Sequence, residues 1–384
     1  MNRRVFLSLA CAGSAIQAAG RHRKTQVAIR GDGFLINGRP TYRGRAYQGR
    51  KVEGLLMNVR LVQGIFDDLN PLTRSLWVYP DTGKWDPERN TTEFLAALGE
   101  WRRYGVLAFT INLQGGLPGR GVGQTAARPA GGGRGQGPQL ENSALDPDGN
   151  PRPAYMARLT RILDRADELG MVVILGYFYF GQDQRLKDEA AVRRGVVNAT
   201  NWILDGGYRN VLVEIANECN LPYHHDILKP PRIHELIELV KSMHRNGKRL
   251  LAGTSWGGRN SAGVIGPNNL DTPVTSNVVA SSDFILLHGN GPNNSALLKR
   301  MIRATRALPT YGTMPVLINE DPNFHFAEPD NHLLAAVDEH VSWGYYDQGE
   351  NNYTDGFQSP PVNWGINTED KKQFAAKVKQ VTGV

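Results

Sequence analysis

The segment Val211–Asn220, VLVEIANECN, runs through β-forming residues into an amide, a carboxylate and a thiol set side by side at Asn217, Glu218 and Cys219. Side chains alternate along a strand, so Leu212, Glu214, Ala216 and Glu218 share one face, and Val211, Val213, Ile215 and Asn217 the other. If the second set packs against helices, both glutamates point into the interior of a closed sheet. At about 3.3 Å per residue, Glu214 then lies roughly 13 Å deeper than Glu218. Glu218 becomes the accessible carboxylate at a C-terminal strand end, where barrel chemistry is found, and Glu214 a deep one in need of a hydrogen-bond partner.

Seven further runs carry a strand signal: 55–62, 106–113, 171–177, 249–254, 284–288, 315–320 and 342–346. Between them, apolar positions recur at helical spacing over 92–104, 155–169, 188–204 and 231–245. Eight strands alternating with helices predict an α/β fold, a (β/α)8 TIM barrel forming one domain over residues 26–384, with a doubly wound open sheet as the alternative. Ahead of the first strand, residues 27–42 contain the turn signals Gly31-Asp32-Gly33 and Asn37-Gly38, and predict a short N-terminal β-hairpin on the barrel floor. Residues 114–150 break the rhythm with GGGRGQG at Gly131–Gly137. No Gly-Lys-Ser/Thr ending leads from it into a helix, so it reads as a loop on the barrel rim and not as a phosphate cradle.

With 384 residues, 40% of them apolar and 21% charged, the chain can bury a large core. The net charge of +7 is spread over scattered Lys and Arg, with no compact basic tract interleaved with aromatics, which argues against a nucleic-acid partner. Residues 1–20, MNRRVFLSLACAGSAIQAAG, place Arg3-Arg4 before a short apolar stretch and small residues, the layout of an export signal. The arginine pair resembles the twin-arginine type, with a general secretory signal as the alternative. The apolar stretch is too short for a stable membrane span, so a periplasmic or extracellular protein is expected. Cleavage near Ala18 or Ala19 would remove Cys11 and leave Cys219 alone, excluding an intramolecular disulfide. Cys219 has no thiol-enzyme signature around it and reads as a small buried residue.

A second strand ends as the first does. MPVLINEDPN, residues 314–323, runs from apolar residues into Asn319, Glu320 and Asp321. Glu218 and Glu320 are 320 − 218 = 102 residues apart, or 34 per unit over three βα units. A barrel of about 250 residues averages about 31 per unit, so the spacing fits strands four and seven. Two carboxylates converging on one barrel mouth suit glycosidic bond cleavage, which needs one as acid/base and the other as nucleophile or base.

These residues resemble those of the retaining glycoside hydrolases of clan A, in particular the cellulase-like glycoside hydrolase family 5. The resemblance rests on Asn217-Glu218 at strand four, His288 at strand six, Glu320 after Pro315-Val316 at strand seven, and the opening Phe34-Leu35-Ile36-Asn37-Gly38-Arg39-Pro40. It implies that Glu218 is the acid/base, that Glu320 is the nucleophile, and that Asn217 holds the sugar 2-hydroxyl and the nucleophile. It further implies that His288 lines the catalytic subsite and that Trp343 lies under the catalytic sugar.

The chain also departs from that pattern. LLHGNG supplies Asn290 where relatives carry a Tyr, AFTINLQGG gives Thr110, Asn112 and Gln114 where an Arg is common, and Cys219 and Asp321 follow the glutamates. A divergent branch with its own substrate is expected, in which Asn112, Gln114, Asn290 and Trp256 are candidate substrate contacts. Aromatic residues at 177–180 and Trp364 are further candidate sugar platforms. His224-His225 and His325 show no metal-binding spacing, so neither metal nor cofactor is expected. The expected activity is double-displacement hydrolysis of a β-glycosidic bond in a carbohydrate, with the charge of Glu320 raising the pKa of Glu218. The alternatives are a carbohydrate-binding barrel without catalysis and a metal-dependent barrel hydrolase.

Overall fold

Strands β1 (Asn58–Arg60), β2 (Ala108–Asn112), β3 (Val172–Tyr179) and β4 (Val211–Asn217) pair in parallel, each with the next. β5 comes in two pieces either side of Thr254: Leu251–Gly253 pairs with β4, and Ser255–Trp256 pairs with β6 (Ile285–His288). β7 (Val316–Glu320) pairs with β6 and reaches β8 (Gly344–Tyr345) through the parallel bridges Leu317–Ser342 and Asp321–Tyr345. β8 returns to β1 by pairing Gly344 with Asn58 and Tyr345 with Val59. The sheet is therefore a closed (β/α)8 barrel, and each run expected to form a strand overlaps one observed in it. This computed structural model describes residues 23–116, 140–257, 274–349 and 353–384. The export signal expected at 1–20 and the GGGRGQG stretch lie outside the described residues.

A described helix follows every strand: α1 (Pro87–Arg103), α2 (Pro153–Leu169), α3 (Glu189–Asp205), α4 (His234–Ser242), α5 (Ser276–Ser281), α6 (Ser295–Arg306), α7 (His332–Asp338) and α8 (Glu369–Thr382). Local chemistry sets their ends. Asp86 accepts the Glu88 and Arg89 amides, with Pro87 at the first turn of α1, and Gly170 closes α2 at φ +68°. α4 is shorter than the expected 231–245 because Met243 is extended and Asn246 and Gly247, both at positive φ, turn the chain back at once.

The N-terminal hairpin forms as expected, Val27–Arg30 pairing antiparallel with Gly33–Ile36. Asn37 and Gly38, at φ +53° and +75°, turn the chain into Arg39–Pro40. Phe34 on this hairpin is fully buried with Leu56, Ile174, Leu212, Phe284 and Leu286, so the hairpin plugs the barrel floor. Burying such a side chain contributes about 1.5–3 kcal/mol. Val211, Val213 and Ile215 belong instead to the larger core between strands and helices. Leu212 thus faces in and its neighbours face out, which leaves the upper barrel interior to polar side chains.

Candidate active site

Strict alternation along β4 would send Asn217 and Glu218 to opposite faces. Glu218 escapes it by adopting φ +49°, an uncommon conformation for a residue with a Cβ. The surroundings fix that turn. The Glu218 amide donates to Ser255 Oγ at 2.7 Å and the Cys219 amide to Ser255 O at 3.0 Å. The Asn220 side chain bonds the Gly257 carbonyl and amide at 3.0 and 2.9 Å. A Cβ at Gly257 would stand 2.6 Å from Glu218 Oε1, so only glycine lets the carboxylate lie there.

β7 solves the same problem with a bulge. Leu287 pairs with Ile318, but the next pair is His288 with Glu320, and Asn319 is the extra residue. Glu320 is thereby brought opposite His288, while Asn319 Nδ2 donates to Glu214 Oε2 at 3.3 Å below.

At the mouth, His288 Nδ1 lies 3.0 Å from Glu218 Oε1 and 3.3 Å from Glu320 Oε2. Asn290 Nδ2 donates to Glu218 Oε1 at 2.6 Å and to Glu320 Oε1 at 3.3 Å. One oxygen from each glutamate and one His288 nitrogen all lie within 4.8 Å of one another. Arg60, from β1, forms an ion pair to Glu320 Oε2 through Nε at 2.7 Å and donates to Asn217 Oδ1. Asn217, Glu218, His288, Asn290 and Glu320 are thus brought together, and Glu218 and Glu320 retain 6% and 8% exposure.

The electrostatics correct one expectation. Burial pushes the Glu218 carboxyl up, but His288, Asn290 and Arg60 outweigh it and hold it below its ordinary 4.5. Burial pushes the His288 imidazole down, but Glu320 and Glu218 outweigh that and hold it above its ordinary 6.5. Between those values the shared proton therefore sits on His288, one hydrogen bond from Glu218. Burial raises the deep Glu214 carboxyl against the opposing pull of Arg60 and His288. Burial also pushes the Cys219 thiol far up, which excludes it as a nucleophile at neutral pH.

Three expected substrate contacts are corrected. Asn112 is fully buried, and its ladder partner Gly176 in turn pairs with Glu214, so it lies a layer beneath the mouth. Gln114 is buried as a brace: its Oε1 accepts from the Tyr179 amide at 3.2 Å, and its Nε2 approaches Ser143 Oγ and Gln182 O, each at 3.4 Å. Trp343 faces outward, packed on Phe326 and on Phe374 of α8, with Nε1 donating to Asp321 Oδ2 at 2.9 Å. Trp256 is half-buried against the core. Of the other aromatic candidates, Trp364 and Tyr177 are core residues bonded to Asn90 and Thr200.

Two mouth residues escaped the sequence reading. Arg60 had a signal, being a charged residue two places after Asn58 in the otherwise apolar LLMNVRLV. Tyr346, in SWGYYDQG, had none beyond its aromatic type. Burial raises the hydroxyls of both Tyr346 and Tyr179, and the charge of Glu320 raises them further.

Several solved structures of glycoside hydrolases share this architecture. A GH5-4 broad specificity endoglucanase from Bacteroides salanitronis superposes with a TM-score of 0.52 at 13% identity, covering 86% of this chain and 94% of that one. A β-glucosidase from Thermotoga maritima in complex with castanospermine gives 0.51 at 12% identity, covering 86% and 99%. A GH5 xyloglucan-specific endo-β-1,4-glucanase from a metagenomic library, in complex with cellotriose, gives 0.51 at 14% identity, covering 86% and 96%. No family model matches the sequence, and no curated protein matches it. The chain shares the (β/α)8 barrel fold of these glycoside hydrolases at 12–14% sequence identity.

Proposed function

We propose that the protein is an exported retaining glycoside hydrolase that cleaves a β-glycosidic bond in a glycan or glycoside by double displacement. The observation that carries this reading is the approach of Glu218 and Glu320 at the barrel mouth, with one oxygen of each within 4.8 Å of the other. Retaining enzymes hold their carboxyl groups about 5–5.5 Å apart, whereas inverting enzymes need about 6.5–9.5 Å to admit a water.

Glu320 is the nucleophile. Arg60 and His288 hold its Oε2, leaving Oε1, with the single long bond from Asn290, to attack the anomeric carbon. Glu218 protonates the leaving oxygen, drawing on the proton it shares with His288, and then takes a proton from the water that releases the sugar. The shared proton enters at Glu218 Oε1, the oxygen His288 and Asn290 face, so Oε1 hands it to the leaving oxygen and His288 is left neutral. Tyr346 and Tyr179, whose hydroxyls are raised by the charge of Glu320, offer rings and hydroxyls to the sugar. Export rests on the Arg3-Arg4 signal.

One feature favours a second reading. Among the described residues, Glu218, His288 and Glu320 are also the one cluster with the spacing of a metal site. Arg60 already supplies a cation at 2.7 Å from Glu320, which is why the trio is read as an acid–base cluster.

The test uses two variants. Glu320→Ala should lose turnover on every substrate, and added azide or formate, filling the vacated space, should restore a product of inverted configuration. Glu218→Ala should still react with an activated aryl glycoside and give a retained azide adduct. The same anomer from both variants, or near wild-type activity in Glu320→Ala, overturns the assignment.

A further inference from the structure

The bulge that aims Glu320 gives up regular ladder pairing at Asn319 and needs a lock. The next residue provides one. Asp321 is fully buried, and its Oδ2 accepts from His332 Nδ1 at 2.8 Å and from Trp343 Nε1 at 2.9 Å. Its Oδ1 accepts the Asn323 amide at 2.9 Å, and Asn323 Nδ2 reaches on to Gly289 O and Pro292 O at 3.0 and 3.1 Å. The backbone repeats the connection, with the Gly289 amide donating to Glu320 O at 2.7 Å and the Tyr346 amide to Asp321 O at 3.2 Å. A Cβ at Gly289 would stand 2.1 Å from Asp321 Oδ2, so the strand that carries His288 and Asn290 lies directly against this carboxylate.

We propose that Asp321, His332 and Trp343 form a buried positioning triad that holds Glu320 in register with His288 and Asn290, an inference that rests on the hydrolase reading above. The triad touches no substrate. One carboxylate joins α7 through His332, β8 through Trp343, and the end of β6 through Asn323, from the position next to the nucleophile. Two of these neighbours carry a mouth residue close by: Asn290 follows Gly289, and Tyr346 lies three residues after Trp343. A carboxylate suits the place because a single Oδ2 can accept two N–H donors from different directions. The His332 hydrogen bond puts the ring proton on Nδ1. Replacing the carboxylate by an amide of the same shape leaves at most one oxygen for three donors, and frees the bulge to relax.

The experiment compares Asp321→Asn, His332→Gln and Trp343→Phe with the wild type. It measures kcat and KM on an aryl glycoside, the active-site concentration by trapping with a 2-deoxy-2-fluoro glycoside, and thermal unfolding. Displacing a reacting group by about 1 Å costs on the order of 100-fold, so Asp321→Asn should lose roughly 10- to 100-fold in kcat per titrated site, with KM changed less than about threefold. Trp343→Phe, which removes only one donor, should lose several-fold and covers the case in which Asp321→Asn does not fold. Unchanged kcat per titrated site, with only the folded fraction reduced, overturns the proposal, since that is what a purely structural role gives.

If the wild type cleaves no glycoside, the hydrolase reading fails separately, and the triad is judged by NMR. Exchange-protected His332 Nδ1 and Trp343 indole protons in the wild type, lost together with a shift of the His288 resonances in Asp321→Asn, uphold it. Unmoved His288 resonances overturn it.

Discussion

Replacing Arg60 by Met is the sharpest test of the charge arrangement at the mouth. The Arg60 side chain is 1% exposed and that of Glu320 11%, so solvent screens their 2.7 Å ion pair little. Removing one partner of a buried pair strands the other charge and typically costs about 3–5 kcal/mol. Here His288 and Asn290 still approach Glu320 at 3.3 Å, which points to the lower end, about 3 kcal/mol. At about 2–4 °C per kcal/mol for a large domain, the unfolding midpoint should fall by roughly 6–12 °C. The double variant Arg60→Met/Glu320→Gln removes both charges and should recover about 2 kcal/mol of that loss, because neutral replacement of a whole buried pair is far cheaper than halving it. Recovery stays incomplete, since Asn217 Oδ1 has also lost its donor. The assay is denaturant unfolding of the four corners of the cycle. An Arg60→Met protein within about 1 kcal/mol of wild type, or a double variant that is merely the sum of the singles, would refute the buried pair as described.

The remaining predictions concern protons, metal and export. Because Glu218 is held below 4.5, its contribution to stability is complete above that value and lost as the pH falls through its folded pKa. Because His288 is held above 6.5, its contribution is complete below that value and lost as the pH rises through its folded pKa. Thermal midpoints should therefore be highest between pH 4.5 and 6.5, and His288→Gln should flatten the alkaline flank. The same His288 proton places the alkaline limb of kcat/KM above pH 6.5, and Glu218→Gln should abolish that limb on a substrate with an activated leaving group. Prolonged dialysis against a chelator should leave activity unchanged, whereas a loss restored by one divalent ion would move the reading to metal-assisted hydrolysis. Lys at both Arg3 and Arg4 should block export by the twin-arginine route and leave export by the general route nearly intact, as fractionation of the host would show.

The fold was legible because barrel strands and helices announce themselves by periodicity. Eight apolar runs at regular spacing, with helical patterns between them, define the alternation, and the distance from Glu218 to Glu320 places both at the correct strands. The site was legible only in part, and several of its misses share a cause. Period-two alternation gives the face of a residue inside a strand but fails at strand ends, where the chain turns away. Alternation put Asn217 on the helix side of β4, yet its Oδ1 accepts from Arg60 at the mouth, and the left-handed turn at Glu218 keeps the next side chain there as well. Across the barrel the β7 bulge does the same for Asn319 and Glu320. Neither irregularity has a glycine or proline to mark it, because each is held by partners far away in sequence: Ser255 and Gly257 for Glu218, His332 and Trp343 behind Glu320. Trp343 misled for the related reason that an aromatic at a strand end looks the same whether it faces sugar or helix. Its indole is claimed by Asp321. Asn290 and Asp321, where the sequence departs from the resemblance, thus both bear on how Glu320 is held. Substitutions there should change how the carboxylates are aimed before they change whether the barrel folds.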